Sequence, residues 1–164
     1  MKKLLLAALM GCTSMASMAA GTEDTYAAVS IGESRYEFSG SHENHTGGTL
    51  AFGQSLAENV GYEVGYAHLG KFDLGGSGQA IYLAGVAKYP FGQGFSVHGK
   101  IGPTVNHYSG HGAVSSETRM RLLLAAGVGY QFDKNWEATL EYTHFGETLD
   151  ITPTLWSLGV RYHY

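Results

Sequence analysis

The side chains best suited to chemistry in this sequence are its histidines. Four of the 8 histidines fall in two polar segments rich in glycine and serine, His42 and His45 in the first and His107 and His111 in the second. Neutral imidazole binds Zn²⁺ and Cu²⁺ well and titrates near neutral pH, so a surface metal site or a pH-sensing site is one hypothesis. Solvated loop histidines are the simpler interpretation, because the spacing of the four is unconstrained. We therefore expect no bound metal and no cofactor.

A second group consists of charged residues that interrupt segments of alternating polarity. They all share the small, polar face of those segments: Glu63, Lys88, Lys100, Arg121, Glu141 and Arg161. Charges enclosed in a narrow interior must be paired, because an unpaired buried charge costs several kcal/mol. The sequence predicts an ion-pair network made of Glu63, Glu141, Lys100, Arg161 and Arg121. A gate for ions or protons is the alternative role of the same residues, and the sequence does not separate the two.

Other kinds of site lack support in the sequence. The glycine-rich stretches at 75–78 and 92–94 lie in turns between strands with no helix after them, so they do not form a phosphate-binding loop. The chain carries 10 basic and 14 acidic residues. If cleavage of a leader removes Lys2 and Lys3, 8 basic and 14 acidic residues remain, which is a net charge of −6. There is no basic patch for a nucleic acid partner.

The elements that must position these residues are strands. Eight segments of ~9–14 residues alternate apolar with small or polar residues, which is the length a tilted strand needs to cross a bilayer. The last segment shows the alternation most clearly, with Trp156, Leu158, Val160, Tyr162 and Tyr164 on one face. Beyond the leader no long apolar run appears, which excludes a helical membrane protein. The pattern predicts an all-β fold, an eight-stranded antiparallel up-and-down transmembrane β-barrel.

The connections between the strands alternate in length. Residues 56–59, 90–94 and 133–135 are tight turns, whereas 37–47, 70–78, 107–118 and 146–154 are longer, polar and rich in glycine and serine. Short turns at the periplasmic rim and longer loops at the cell surface are typical of outer-membrane barrels. Aromatic residues gather beside both rims, as expected where strands meet the membrane interfaces. A soluble eight-stranded barrel would reverse the arrangement, with apolar residues inside and charges outside.

The amino terminus predicts secretion. Lys2 and Lys3 precede the apolar run 4–10, and Ser17-Met18-Ala19 is a small-x-small cleavage site. We expect a signal peptide over residues 1–20, cleaved after Ala19 or Ala20, and a barrel domain over 21–164. Cys12 follows Leu9-Met10-Gly11, which leaves acylation of that cysteine as an alternative.

The chain resembles the transmembrane domain of the outer-membrane protein A family and its small-barrel relatives. Residues 60–70 look like that family's third strand, 88–91 like its fourth-strand exit and 156–164 like its closing strand, so the resemblance covers residues 24–164. The closing strand, with Trp156, Leu158, Val160, Tyr162 and Tyr164, looks like the signal read by the barrel-assembly machinery. The family's peptidoglycan-binding domain is expected to be absent.

Two departures from related barrels bear on function. The resemblance places Glu63 at the family's lumenal glutamate, but the family's basic partners on strands four and seven fall at Val86 and Thr139 here. Lys100, Arg161 and Arg121 are the candidate replacements. Residues 141–146 faintly resemble the histidine-bearing strand of lipid A deacylases, but Gly146 stands where their serine would follow His144, so no acyl-enzyme can form by that route.

These observations favour a non-enzymatic protein of the Gram-negative outer membrane. It would present short surface loops for envelope integrity, adhesion or stress resistance, as a monomer among outer-membrane lipid and lipopolysaccharide, with host or surface ligands reached through the loops. A narrow channel for ions or small solutes is the alternative. A lipid A-modifying enzyme is a third hypothesis, for which the sequence offers no nucleophile beside His144.

Overall fold

A computed structural model describes residues 24–38, 41–71, 77–109, 117–146 and 152–164. The eight strands are β1 (Thr25–Phe38), β2 (Ser41–Ala57), β3 (Val60–Lys71), β4 (Ser77–Pro90), β5 (Phe95–Ser109), β6 (Glu117–Gln131), β7 (Trp136–His144) and β8 (Thr152–His163). Each pairs with its neighbours in chain order, and β8 returns to β1 in antiparallel register, with Ala28 opposite Arg161. The predicted all-β, eight-stranded antiparallel up-and-down barrel is confirmed.

The two faces of every strand differ as the alternation predicts. Apolar side chains on the outward face are exposed to the surroundings of the barrel, Ile31 by 66% and Leu158 by 64%. Their neighbours along the strand point into the lumen and are buried, as Glu63 and Arg161 are. An exposed apolar belt of this kind is stable only in lipid, because in water it would be a large aggregation-prone surface. No helix in the described part of the chain is long and apolar enough to cross a membrane.

Short turns join the strands at the rim where β1 begins. Glu58 and Asn59 form the turn between β2 and β3, residues 91–94 join β4 to β5, and residues 132–135 join β6 to β7. Gly92 and Gly94 have φ values of 72° and 84°, which a residue with a side chain rarely adopts. The three tight turns predicted from the sequence therefore lie on one rim, the periplasmic one by the rule above.

The opposite connections are shorter than the sequence predicts. β1 continues to Phe38 and β2 begins at Ser41, so most of the predicted loop 37–47 is paired strand, with Glu37 opposite His42. Likewise β5 extends to Ser109 and β6 begins at Glu117, which shortens the predicted loop 107–118. The physical reason is that strands go on exchanging backbone hydrogen bonds beyond the membrane, whatever the polarity of their side chains. The predicted signal peptide and Cys12 lie outside the described residues.

Candidate functional site

The polar interior of the barrel is the candidate site, and its middle is built around Glu63. This carboxylate on β3 is fully buried and accepts hydrogen bonds from three side chains. The Tyr26 and Tyr82 hydroxyls each lie 2.8 Å from a carboxylate oxygen, and Lys100 Nζ lies 2.7 Å from Oε1. Three donors, one of them the ammonium group of Lys100, replace the water that a buried carboxylate loses.

Lys100 links Glu63 to a second acid. Its ammonium nitrogen also lies 2.8 Å from Glu141 Oε2, and His98 Nε2 lies 2.9 Å from the same oxygen. The Thr143 hydroxyl donates to Glu141 Oε1 at 3.0 Å. A carboxylate only accepts hydrogen bonds, so the Nε2 atom of His98 carries the proton. We call this group the central cluster; its members are Tyr26, Glu63, Tyr82, His98, Lys100, Glu141 and Thr143.

Glycines on the strands beside Glu63 make room for the two tyrosine rings. A β-carbon at Gly53 would overlap the ring of Tyr26, and one at Gly65 would overlap Cζ and the hydroxyl of Tyr82. Gly65 is also the cross-strand partner of Tyr82, so the ring lies directly over the glycine. The absent side chains therefore let both phenols lie across the lumen and reach Glu63.

A second group of charges lies nearer the periplasmic rim and is centred on Glu137. Lys88 Nζ, Arg161 Nη1 and His163 Nε2 all approach its Oε2 atom, at 3.0, 3.1 and 3.1 Å, and Ser96 donates to Oε1 at 3.0 Å. His163 Nδ1 lies 2.8 Å from Asp24 Oδ2. We call this the periplasmic cluster; it consists of Asp24, Lys88, Ser96, Glu137, Arg161 and His163.

The two clusters meet at Tyr26. Its hydroxyl belongs to the central cluster, while the guanidinium carbon of Arg161 lies 4.5 Å from the centre of its ring. A cation over an aromatic face is attracted by the ring's electron density, most strongly where water is excluded. Tyr26 therefore couples Arg161 to Glu63 without a direct ion pair.

The extracellular half of the lumen is filled mainly by large apolar side chains, beside the buried polar residues Ser34, Thr104 and Asn106. Five large side chains with no more than 1% exposure fill it, and we call them the apolar cap: Tyr36, Leu69, Leu123, Phe145 and Leu155. The Tyr36 hydroxyl donates to the carbonyl of Leu69 at 2.8 Å, and the Asn106 amide donates to the carbonyl of Phe145 at 2.9 Å. The lumen thus changes from ionic to apolar between the periplasmic and extracellular ends. The alternation pattern, which assigned a small and polar inner face to all strands, did not predict this cap.

The predicted network residues take different positions in the lumen. Glu63, Lys100 and Glu141 come together in the central cluster. Arg161 pairs with Glu137 instead of with either predicted acid, because the two residues lie directly opposite each other on β7 and β8. Arg121 is half-buried opposite Thr104, and its Nη1 donates to the carbonyl of Met120 at 3.3 Å.

The ion-pair network predicted from the sequence left out Glu137, His98 and His163, although all three fall on the polar face of their strands. The sequence does place these residues with the predicted network: Glu137 and Glu141 share a face of β7, and His98 is two residues from Lys100 on β5. Glu137 lies two residues after the tight turn, where the sequence suggests exposure at the rim. It is nevertheless only 1% exposed, because Lys88, Arg161 and His163 close over it.

The predicted histidine site is described only in part. His45 lies on β2 and contacts Tyr36 edge-on, with ring centres 6.0 Å apart. His107 is exposed at the end of β5, where Nδ1 lies 2.8 Å from the Thr118 hydroxyl. The side chain of His42 and the whole of His111 lie outside the described residues. Within the described part of the chain, no three histidine, cysteine or acidic residues are grouped as a metal site requires.

The outward face of β8 carries the residues assigned to barrel assembly. Trp156, Leu158, Val160 and Tyr164 are exposed and Tyr162 is half-buried. The ring of Tyr162 contacts Trp136 at 4.8 Å and Tyr164 at 5.1 Å, which forms an aromatic patch at the periplasmic rim. The recognition role of this face stays a prediction.

A solvent-connected cavity enters the lumen from the periplasmic rim. It measures about 230 Å³, and the residues that matter for its chemistry are Lys88, Arg161, His163 and Glu58. Arg161 lines this cavity, and its Nε atom is buried without a protein partner. The ionic part of the lumen is therefore hydrated from one side, while the apolar cap closes the other.

Comparison with known proteins identifies the family. The model of the outer membrane protein beta-barrel domain matches residues 4–164. The chain belongs to the outer membrane protein beta-barrel domain family. Outer membrane protein A of Yersinia pseudotuberculosis is 28% identical over the whole of this chain, and the match covers 56% of that protein. The chain thus spans about half the length of the curated relatives it matches, and its place in the outer membrane, predicted from the sequence, is confirmed.

Solved structures of other outer-membrane proteins share the fold. The attachment invasion locus protein Ail of Yersinia pestis superimposes with a TM-score of 0.66 at 16% identity, over 86% of this chain and 98% of Ail. Neisserial surface protein A gives 0.68 at 14% identity, over 85% and 97%. An outer membrane enzyme, PagL, has the same fold, with a TM-score of 0.57, 13% identity and coverage of 84% and 98%. At these identities the likeness concerns the barrel, and the fold alone does not decide between binding and catalysis.

Proposed function

We propose that this outer-membrane barrel is a closed, non-enzymatic scaffold whose role is carried by the hairpins at its extracellular rim. The observation that carries the proposal is the apolar cap, in which Tyr36, Leu69 and Phe145 have no exposed surface. An ion entering it would have to give up most of its hydration shell, which is costly, because these side chains fill the lumen. Below the cap the cations and acids are paired with each other and hold the wall of the barrel together.

The extracellular hairpins are built to project from the membrane. β1 and β2 stay paired up to Phe38 and Ser41, well beyond Trp156 of the extracellular aromatic girdle, which pairs with Glu33. A paired hairpin loses less conformational entropy on binding than a loose loop does. Envelope integrity, adhesion or stress resistance are the roles that such surface hairpins would serve. Ail, a protein of the same fold, is named as an attachment invasion locus protein.

The experiment compares variants of the rim with variants of the lumen in a host strain that lacks the protein. One variant replaces residues 37–42 with a two-residue turn, and the other is Glu63→Gln. Surface binding and envelope resistance are measured at equal amounts of folded barrel. The proposal expects loss only with the shortened hairpin. Loss of the phenotype with Glu63→Gln alone would contradict it, because the lumen and not the rim would then carry the function.

A narrow channel is the second candidate, and the cavity at the periplasmic rim favours it. Lys88 and Arg161 line that cavity together with the acids Asp24 and Glu58, so an entering ion would meet charges of both signs. Conduction would require the apolar cap to open, since its side chains block the way out of the central cluster. Steady current through the unaltered chain would support this candidate over the first.

Lipid modification has the least support. His144 is the cross-strand partner of Thr154 and Leu124 on the outer wall. Thr154 is only 8% exposed, and its hydroxyl donates a hydrogen bond to the carbonyl of Arg35 at 3.3 Å. That hydroxyl is therefore not available as a nucleophile. A nucleophile needs a base within hydrogen-bond reach, and no such pair is described around His144.

A further inference from the structure

Arg161, near the periplasmic end of the lumen, has a hydrogen-bond donor that the protein leaves unused. The residue is 2% exposed, and its Nη1 atom donates to Glu137 Oε2 at 3.1 Å. Its Nε atom is also buried but has no protein partner. A buried donor without an acceptor is costly, and native proteins keep one mainly where a ligand or an ordered water accepts its hydrogen bond. Arg161 lines the cavity at the periplasmic rim, which has room for such an acceptor.

The residues that line this cavity separate charges of opposite sign by depth. The cations lie inside, since Arg161 is almost fully buried and the Lys88 side chain is 31% exposed. The acids lie at the mouth, where the Asp24 side chain is 50% exposed and Glu58 is exposed in the turn between β2 and β3. The strand register agrees, because Arg161 lies opposite Ala28, four residues further into the barrel than Asp24. A molecule that enters therefore meets acids first and cations behind them.

This arrangement of charges selects against simple ions. A bare anion would have to pass Asp24 and Glu58 before it reached the cations, and like charges repel each other. A bare cation would be held at the mouth by the same two acids, and the Nε donor of Arg161 would stay without an acceptor. A molecule that carries both a carboxylate and an ammonium group matches both ends of the cavity and adds no net charge to it.

We propose that the cavity binds a small zwitterion of the α-amino-acid class. The carboxylate lies toward Arg161 and Lys88, where charge-assisted hydrogen bonds are strong because water is scarce, and the ammonium group lies toward Asp24 and Glu58. The cavity measures about 230 Å³, the liquid volume of roughly seven water molecules, which suits an amino acid with a small side chain and not a peptide. The apolar cap closes the lumen above, so the molecule leaves by the rim at which it enters.

The test compares three compounds of similar size. Alanine carries both charged groups, propionate lacks the ammonium group, and ethylamine lacks the carboxylate. The isotope-labelled, folded barrel is placed in phosphatidylcholine nanodiscs, and each compound is titrated in at the same pH and ionic strength. The first readout is the NMR signal of the Nε–H group of Arg161, assigned by its loss in Arg161→Lys. The second is the backbone amide signal of His163, which also lines the cavity and does not depend on that variant.

The proposal expects alanine to shift both signals saturably, and propionate and ethylamine to bind about tenfold more weakly. Lys88→Gln should weaken the binding of alanine about tenfold, because it removes one of the two cations that hold the carboxylate. Glu58→Gln should reduce the preference for alanine over propionate about threefold, since an exposed acid contributes less. Asp133→Asn removes an acid from another turn of the same rim, outside the cavity, and should change neither value. Different gel migration before and after boiling shows that each variant is folded.

Several outcomes would overturn the proposal. If alanine shifts neither signal, the cavity holds water alone. Equal binding of propionate would identify a plain anion site, and equal binding of ethylamine a plain cation site. An unchanged preference in Glu58→Gln, or the same change in Asp133→Asn, would show that the acids at the mouth do not recognise the ammonium group. The test is independent of the scaffold role, because the cavity opens at the rim opposite the extracellular hairpins.

Discussion

Lys100 crosses the lumen to Glu63, with Nζ 2.7 Å from the Oε1 atom of a carboxylate that has no exposed surface. The same nitrogen lies 2.8 Å from Glu141, so one cation from β5 joins acids on β3 and β7. Strands that are not neighbours in the sheet are thus bound through the interior. The ionic part of the lumen is a cross-brace of the barrel, and its strength can be measured.

The first prediction concerns that brace. Glu63→Gln or Lys100→Met alone should cost about 3 kcal/mol or more, because each leaves a buried charge short of its partner, while the double variant should cost much less. Reversible urea unfolding in lipid vesicles gives the coupling energy. A cycle on Glu137 and Arg161 should show coupling of similar size, and one on Glu63 and Arg161 a smaller value. Coupling below ~0.5 kcal/mol in both contacting pairs would mean that solvent screens them.

The second prediction tests which face meets lipid. Arginine in place of Leu124 or Leu140, both about half exposed on the outer wall near the middle of β6 and β7, should cost ~2–4 kcal/mol. Arginine at the neighbouring Ala125, which is buried in the lumen, should destabilise by crowding instead. Unfolding in vesicles and in detergent separates the two causes, since only the lipid-face cost depends on a surrounding bilayer. Small and equal effects at all three positions would show that no bilayer surrounds these strands.

The third prediction concerns the space beneath Tyr82. Gly65→Ala should lower stability by ~1–3 kcal/mol, because the added β-carbon overlaps the ring and displaces its hydroxyl from Glu63. Gly99→Ala is the matched control: its β-carbon would face the outer wall, with the nearest heavy atom at 3.7 Å, and should be tolerated. Equal losses at the two glycines would point to a general cost of strand substitution and not to the tyrosine.

The strands were predictable because alternation is a local property of the chain. The alternation within β8 alone assigns Trp156, Leu158 and Val160 to one face, whatever strand lies beside it. Which charges meet inside the barrel was not predictable to the same degree, since that depends on the stagger between strands. Arg161 shows the difference: its inward direction follows from β8 alone, but its pairing with Glu137 depends on how β7 and β8 are aligned.

The alternation of apolar and polar residues could not predict the apolar cap, for a different reason. Tyr36 is one residue before the predicted loop 37–47, and Leu69 is one residue before the predicted loop 70–78. The sequence prediction therefore placed both at the ends of their strands and not inside the lumen. Leu123 and Leu155 are apolar residues on an inward face, and alternation cannot distinguish an apolar residue directed at lipid from one that fills a lumen. Only the closed structure shows that the four converge.

The fourth prediction concerns closure. Every strand is paired on both sides, including β1 with β8, so detergent finds no free edge at which to start unfolding. The mature chain should therefore migrate differently on a gel before and after boiling. Asn135→Ala removes the hydrogen bond from the side-chain amide to the carbonyl of His163 at 2.7 Å, and should lower the temperature at which the shift is lost. Identical migration with and without boiling would contradict a closed barrel.

The central claim, that the apolar cap closes the lumen, is tested most directly by conductance. The folded barrel is inserted into a planar bilayer, and current is recorded for the unaltered chain, for Glu63→Gln and for the double variant Tyr36→Ala/Phe145→Ala, each first shown to be folded by the gel shift. The account predicts no steady current from the unaltered chain or from Glu63→Gln, and clear openings only when the cap is reduced. Steady current through the unaltered chain that is the same in the double variant would contradict it.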